Sequence, residues 1–367
     1  MEVESQDGSA RTGRLTTPHG VVRTPTFMPV ATYGAVRGIP ARDLERIGAQ
    51  ILLSNTYHLH ERPGEETIRG LGGLHGFTGW RGPWLTDSGG YQVPSLAHRM
   101  QLDEDGVTFA SPLDGKRRQL TPESVVAIQE ALGSDIAMVL DQCVPPEAGA
   151  ESAVQEAMER SLRWAERAAG ARQRRDQAVF AIVQGGISEG LRRTSAAACA
   201  QLGFDGYAHG GLGLGETRSA RQDAVAAAHG QLPGDAPRYL MGLGRPVDLL
   251  DGVAGGVDLF DCVVPTRNGR HGLLFTSEGV LHIKNARYKS DDGPVDPHCD
   301  CPTCASHSRA YLNLLARSCE ALGPQLASLH NLRFYLSLLE RARTAIAEGR
   351  FEALRAEVEE RSETRLA

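Results

Sequence analysis

A series of short apolar runs, each ending in a polar residue or a glycine turn, constrains this chain more than any other feature. Ile51-Leu52-Leu53 runs into Ser54-Asn55-Thr56, Ala137-Met138-Val139-Leu140 into Asp141, and Val179-Phe180-Ala181-Ile182-Val183 into Gln184-Gly185-Gly186. Tyr239-Leu240-Met241 leads to Gly242, and Val257-Asp258-Leu259-Phe260 to Asp261. Runs this short, apolar and turn-bounded read as buried parallel strands. Helical patterns lie between them: Val125 to Leu132 behind the start signal Thr121-Pro122-Glu123, then Glu151 to Ala169 and Leu191 to Leu202. This alternation fits either an α/β barrel of the (β/α)8 TIM type or a doubly wound open sheet. The polar residues favour the barrel. Asp141, Gln184, Gly211, Gly242 and Asp261 each follow an apolar run, and a barrel draws its site from the C-terminal ends of several strands. An open sheet gathers its site at one switch point.

Beyond Asp261 the pattern changes. Alternating residues with turns run from Gly272 to Ile283, followed by Cys299-x-Cys301-x-x-Cys304 and helices around Arg309 to Leu322 and His330 to Glu348. The chain is expected to be one barrel domain over residues 1–367, with a small zinc-binding subdomain at about 272–335 and C-terminal helices. The charged tail from Glu357 to Ala367 is expected to fray. Three cysteines this close cannot easily pair with one another, so metal ligation is the better reading. A structural zinc needs a fourth ligand, and spacing offers His298, His307 or His330.

The net charge of −6 argues against a surface that binds nucleic acid indiscriminately. Between Thr266 and Lys289, however, Arg267, Arg270, Lys284, Arg287 and Lys289 gather with few acids, which points to a confined polyanion site. No stretch reaches the roughly 18 apolar residues of a membrane helix, and Met1 to Gly20 lacks the apolar core of a secretory signal. A cytoplasmic location without membrane attachment is the expectation.

Carboxylates supply the chemistry. Asp87 precedes Ser88-Gly89-Gly90, where the glycine pair lets a planar ligand approach the backbone. Asp261 ends an apolar run just before Pro265-Thr266-Arg267-Asn268-Gly269-Arg270, and Asp141 is a third. A lone aspartate at a turn is usually only a turn-former. Three at strand ends beside glycine-rich turns fit a site that binds a donor-rich heterocycle and cleaves a glycosidic bond.

Together these motifs closely resemble the tRNA-guanine transglycosylase family, in its bacterial homodimeric branch. The matching segments are NTYHL from Asn55, TDSGGYQV from Thr86, GSDIAMVLDQC from Gly133, IVQGG from Ile182 and FDGYAHGGLGLGE from Phe204. RYLMGLG from Arg238, GVDLFDCVVPTRNGRHG from Gly256, the CDCPTC cluster and LHNLRFY from Leu329 complete the order. The resemblance implies a zinc-bearing barrel in which Asp261 attacks C1′ of the wobble-position guanosine and Asp87 acts as general acid/base. It implies a base pocket of Ser88, Gly89, Gly90, Tyr91, Asp141, Cys143, Gln184, Gly211, Leu212 and Met241, with Tyr91 and Met241 sandwiching the ring. RNA contacts are implied for Gly242, Leu243, Gly244, Arg245, Pro246, Val247 and Asp248, and for a recognition loop of Thr266, Arg267, Asn268, Gly269 and Arg270. By the same resemblance Cys299, Cys301, Cys304 and His330 hold one structural Zn2+, and tRNA, a 7-deazaguanine base and a second copy of the chain are the partners. Phe77, Trp80 and Tyr311 match aromatic positions of the family's dimer interface, whereas His307 and Leu314 do not match and read as core packing.

Several residues depart from the family pattern. Glu61 stands at an apolar position, Pro112 replaces a frequent histidine, and His209 replaces an apolar residue and reads as a packed, satisfied core histidine. Gln142 replaces a glutamate that, with the equivalent of Glu216, forms a peptide switch for an aminomethyl group. Leu214 stands where queuine-inserting enzymes have glycine, which argues against room for queuine's cyclopentenediol. The ranking of incoming bases is therefore 7-aminomethyl-7-deazaguanine, then queuine, then the 7-cyano base. An accessory subunit without catalysis would have lost Asp87 and Asp261, and a sugar glycosidase would have no use for the basic segment.

Overall fold

The computed structural model describes residues 1–90, 100–144 and 151–362. Eight parallel strands make one sheet: Thr26–Pro29, Leu52–Ser54, Trp84–Thr86, Ile136–Met138, Ala178–Val183, Gly206–His209, Arg238–Leu240 and Leu259–Cys262. Consecutive strands pair from the second to the eighth, and the eighth returns to the first with Asp261 opposite Met28. A bridge between Val30 and Leu53 brings the first strand to the second and closes the ring. The expected α/β barrel is therefore present. No helix among the described residues is long and apolar enough to cross a membrane.

Strand periodicity divides the core. Phe27, Leu52, Trp84, Leu240 and Phe260 belong to a cluster shared with the helix residues Leu249 and Leu336. Their strand neighbours Met28, Leu53, Leu85, Tyr239 and Leu259 belong to a second cluster. The period of two thus sends alternate side chains to the helices and to the barrel interior. Asp261 lies two residues beyond Leu259 and so shares the face of Leu259 and Tyr239. Local signals set the helix bounds. In Pro122–Leu132, the Thr121 hydroxyl accepts from the Ser124 N–H at 3.1 Å, while the Ser124 hydroxyl accepts from the Thr121 N–H at 2.8 Å.

Two antiparallel sheets were not legible as apolar runs. Glu2–Asp7, Ala10–Thr17 and Gly20–Thr24 form one, and Met100–Leu102, Val107–Ala110 and Arg117–Leu120 the other. The first is pinned to the barrel by a buried ion pair. Arg11 Nε donates to Asp258 Oδ1 at 3.0 Å, and the Arg238 N–H donates to Asp258 Oδ2 at 2.7 Å. The second meets Glu61, the last residue of the helix Thr56–Glu61, which pairs with Arg118 at 3.0 Å and accepts from the Ser111 hydroxyl.

The C-terminal helices differ from expectation. One ends at Arg317, because Cys319 sits at φ 55°, a left-handed value that cannot continue a helix. The next begins at Leu322 and runs unbroken to Ala347. The charged tail is helical over Phe351–Ser362, since Phe351, Leu354 and Val358 bury one face while Glu359 pairs with Arg218, and its last residues, 363–367, lie outside the described residues.

His209 is buried as expected but not satisfied. It is 1% exposed, and neither ring nitrogen has a hydrogen-bond partner among the described residues. Burial, assisted by the positive charges of Arg192 and Arg238, pushes its pKa down to about 3. A histidine whose folded pKa is depressed lets the unfolded chain bind a proton that the folded chain cannot. Its contribution is absent at neutral pH and grows as pH falls below the unfolded value of about 6.5. Replacing His209 with leucine should raise stability at pH 7 by about 1 kcal/mol. It should also remove an acid slope of about 1.4 kcal/mol per pH unit between about pH 6 and pH 3. Denaturant unfolding of both proteins across that range checks this; identical slopes would contradict it.

Candidate active site and metal centre

Segments at the C-terminal ends of seven of the eight strands line one cavity of about 480 Å3. Val30 and Thr32 follow the first strand, Asn55 the second, Asp87 and Ser88 the third, and Asp141 and Cys143 the fourth. Gly210 to Leu214 follow the sixth, Met241 and Gly242 the seventh, and Asp261 lies in the eighth. The fifth contributes from behind. Gln184 Nε2 donates to Asp141 Oδ2 at 2.6 Å, and Gln184 itself is not on the cavity wall. A Cβ added to Gly211, at φ +67°, would stand 2.6 Å from Gln184 Oε1, so the glycine is what allows this packing. Arg192, fully buried, donates to the carbonyls of Val183, Gly186 and Gly210 at 2.6–2.8 Å and ties the ends of two strands together.

Each carboxylate is held by neutral donors. Asp87 Oδ1 accepts from the Thr56 N–H at 2.9 Å and the Gly89 N–H at 3.2 Å, and Oδ2 accepts from the Asn55 amide. Asp261 Oδ1 accepts from the Tyr239 hydroxyl at 2.6 Å and the Gly242 N–H at 2.8 Å. Among the described residues Oδ2 of Asp261 carries no hydrogen bond, which leaves it available to an electrophile. Burial raises the Asp261 pKa, against the pull of Tyr239 and Gly242. Burial likewise pushes Asp141 up to about 6, although Gln184 and Ser88 oppose it. The neighbouring thiols are poor nucleophiles. Burial lifts Cys143 to about 12 and Cys262 well above its ordinary range.

Sequence reasoning assigned no role to Asn55, His58, Tyr239 or Val30, all of which border the cavity. Asn55 and Tyr239 are silent in a pattern search because only the fold shows which carboxylate each one meets. Tyr91 lies outside the described residues. Gln142 faces away from the cavity: its Oε1 accepts from Arg160 at 2.6 Å and its N–H donates to Ser161.

The basic segment needs correction. Thr266 to Arg270 is not a loop but part of the helix Val264–His271. It lies against the helix Leu322–Ala347 at Gly269, where a Cβ would come within 2.8 Å of the Ser328 backbone nitrogen. Asn331 Nδ2 donates to the Pro265 carbonyl at 3.0 Å, tying the two helices further. Thr266 and Gly269 are buried and Asn268 half-buried, so Arg267 and the half-buried Arg270 are the charges this helix offers. Arg37, unremarked in the sequence, joins Arg267 in lowering the Arg270 pKa, after burial. In the preceding turn Leu243, Gly244, Pro246 and Asp248 are buried, and Asp248 is neutralised by Arg221 and Arg245 at 2.6 and 2.9 Å. Those buried residues shape the turn; Gly242 and Arg245 are exposed and Val247 half-buried.

Cys299, Cys301, Cys304 and His330 bring their ligand atoms within 4.8 Å of one another. His330 Nδ1 lies 3.2 Å from Cys304 Sγ and 3.6 Å from Cys301 Sγ. Two ligands on one tetrahedral ion, at about 2.3 and 2.1 Å, stand about 3.5 Å apart, so the donor set fits a metal. His330 Nε2 lies 2.7 Å from the Phe275 carbonyl, which fixes the proton there and turns Nδ1 to the thiols. Of the histidines that spacing left open, the fold brings His330 to the three thiols.

Comparison with known proteins agrees with this geometry. The family model described as queuine tRNA-ribosyltransferase matches residues 6–364. A Thermus thermophilus queuine tRNA-ribosyltransferase is 53% identical over 351 residues, covering 96% of this chain and 91% of the relative. The Solidesulfovibrio magneticus protein of that name is 54% identical over 356 residues, covering 96% and 95%. This chain therefore belongs to the queuine tRNA-ribosyltransferase family.

Proposed function

We propose that this protein exchanges the wobble-position guanine of tRNA for 7-aminomethyl-7-deazaguanine, by double displacement through a covalent Asp261–RNA intermediate. The observation that carries this reading is the convergence of Asp87, Asp141 and Asp261 on one cavity whose described wall has no lysine or arginine. Asp261 Oδ2 attacks C1′; the C1′–N9 bond breaks and its electron pair leaves with guanine, which takes a proton from Asp87. In the second half Asp87 removes a proton from the incoming base, whose N9 attacks C1′ and releases the carboxylate. The ester keeps the bond energy, so no nucleotide cofactor is needed. The apolar wall of Val30, Leu53 and Met241 helps exclude water.

Asp141 suits the donor-rich edge of a guanine-like base, and Gln184 serves by orienting it. Glu216 supports the aminomethyl assignment. Its carboxylate accepts from the Gly213 N–H at 2.7 Å and the Leu214 N–H at 2.9 Å. Burial opposes its charge, but these donors and Arg221 outweigh burial and lower its pKa. Because the Leu212–Gly213 peptide gives its N–H to Glu216, its carbonyl is turned the other way and can accept from an ammonium group. Gln142 plays no part in that arrangement. Arg37, Arg245, Arg267 and Arg270 supply positive charge for the RNA backbone. The Cys3His cluster holds a structural zinc, since four protein ligands leave no position for reactive water.

A homodimer is also proposed. Phe77 and Tyr311 are exposed, and Leu314, read from the sequence as core packing, is 59% exposed. Trp80 is buried in its own subunit, with Nε1–H donating to the Pro83 carbonyl, so it contributes only indirectly. Replacing both Tyr311 and Leu314 with aspartate should halve the mass measured by sedimentation; an unchanged mass would reject that face.

Asp261→Asn should cut exchange of labelled guanine into tRNA by about 10^4-fold or more without lowering the melting temperature. Wild-type exchange would reject the nucleophile. Comparing the pH dependence of wild type with that of Asp141→Asn isolates Asp141, because Asp87 serves as the base in both proteins. kcat/KM for the base describes attack on the covalent intermediate, in which Asp261 is esterified and cannot titrate. Protonation replaces one acceptor of Asp141 with a donor, so kcat/KM for guanine should fall below about pH 6, and Asp141→Asn should be low and lack that limb. An unchanged acid limb in that variant would reject the assignment.

A further inference from the structure

A second cluster of titratable side chains lies at the opposite end of the barrel. Asp135 immediately precedes the strand Ile136–Met138 and is buried. His19 occupies the turn between Ala10–Thr17 and Gly20–Thr24; its Nδ1 stands 2.8 Å from Asp135 Oδ1, and its backbone N–H donates to the same oxygen at 3.1 Å. His75, from the helix Gly73–Thr78, places Nε2 3.4 Å from Asp135 Oδ2 and 3.1 Å from the Gly82 carbonyl. The two imidazoles stack with centroids 3.5 Å apart and 19° between their planes. None of the three residues borders the catalytic cavity.

We propose that His19, His75 and Asp135 form a second metal site, which binds a divalent transition-metal ion such as Zn2+ and staples the N-terminal sheet to the barrel. Two imidazoles and one carboxylate are a donor set for such an ion. All three ligand atoms lie within 4.8 Å of one another. Bonds of about 2.1 Å require ligand atoms about 3.4 Å apart, so no pair in the triad must close by more than about 1.4 Å. His19, partly exposed in a turn, supplies that adjustment and the tilt that takes its ring out of the stack. The Trp84 N–H donates to Asp135 Oδ2 at 2.8 Å and, with the His19 N–H, orients the carboxylate as an outer-shell support. A neutral imidazole whose facing nitrogen carries a proton can bind after moving that proton to its other nitrogen, with none released. His75 would exchange its Gly82 contact for the metal. With three protein ligands the site is weaker than the Cys3His centre, and its place at the N-terminal face makes it a stability element rather than a catalytic one.

The test uses the full-length protein with its Cys3His metal retained, equilibrated with Zn2+ and analysed for bound metal by elemental analysis. Wild type should take up one ion per chain beyond the Cys3His ion, and its melting temperature should rise with zinc. His19→Asn and His75→Gln should each weaken this uptake by at least about tenfold and abolish the zinc-dependent rise, with guanine exchange unchanged. If His75→Gln does not fold, His19→Asn in its exposed turn decides alone. No second ion in wild type at about 0.1 mM free zinc, or full uptake by His19→Asn, overturns the proposal.

Discussion

Three carboxylates share one partly enclosed cavity, and everything around them answers to the cost of holding that charge away from water. The usual remedy for buried anions is a cation, and a cation would quench the basicity that a nucleophile and a base-reading acceptor both need. Among the described residues the hydrogen-bond donors are neutral. Asn55 and two backbone N–H groups hold Asp87, Gln184 and Ser88 hold Asp141, and Tyr239 with the Gly242 N–H holds Asp261. The raised pKa values of Asp141 and Asp261 follow directly from this choice. Arg192, a buried cation behind the cavity, spends its donors on main-chain carbonyls and so stiffens the site without neutralising it.

The barrel separates chemistry from support. Its C-terminal mouth collects the reactive groups, while the N-terminal end carries the Arg11–Asp258 ion pair and the His19–Asp135–His75 cluster. Between these ends the metal centre acts through packing. His330 sits two residues beyond Ser328, whose backbone meets Gly269 and whose hydroxyl donates to the Thr266 carbonyl. Cys3His cluster, long helix and arginine-bearing helix are therefore one mechanical unit. A metal ion held by the cluster would therefore bear on the placement of Arg267 and Arg270 rather than on the chemistry.

What the sequence disclosed followed from how each feature is encoded. The strands ending at Asp141, Gln184, Gly242 and Asp261 are apolar on both faces, so they stand out without an alignment. Glu2–Asp7 alternates exposed with half-buried residues and carries no apolar run, which hid the first antiparallel sheet. Helix limits near Leu322 were lost because one left-handed residue, Cys319, separates two apolar patterns of the same period. The helical state of Thr266 to Arg270 was obscured by Pro265 and Gly269, which suggest a loop but serve as a first-turn proline and a close-packing position. Spacing did not tell His330 from His298 and His307, where the family resemblance and the geometry agree on His330, and the lack of partners around His209 shows only in its surroundings.

The central claim concerns one oxygen atom, Asp261 Oδ2, and its bond to C1′ of the RNA. The direct measurement is mass spectrometry of the protein after reaction with wobble-guanosine tRNA, quenching in denaturant, nuclease trimming and proteolysis. The account requires a ribose-containing adduct on the peptide bearing Asp261, discharged when a competent base is supplied before the quench. An adduct on the peptide bearing Asp87, or exchange that proceeds with no adduct accumulating at saturating tRNA, would contradict it.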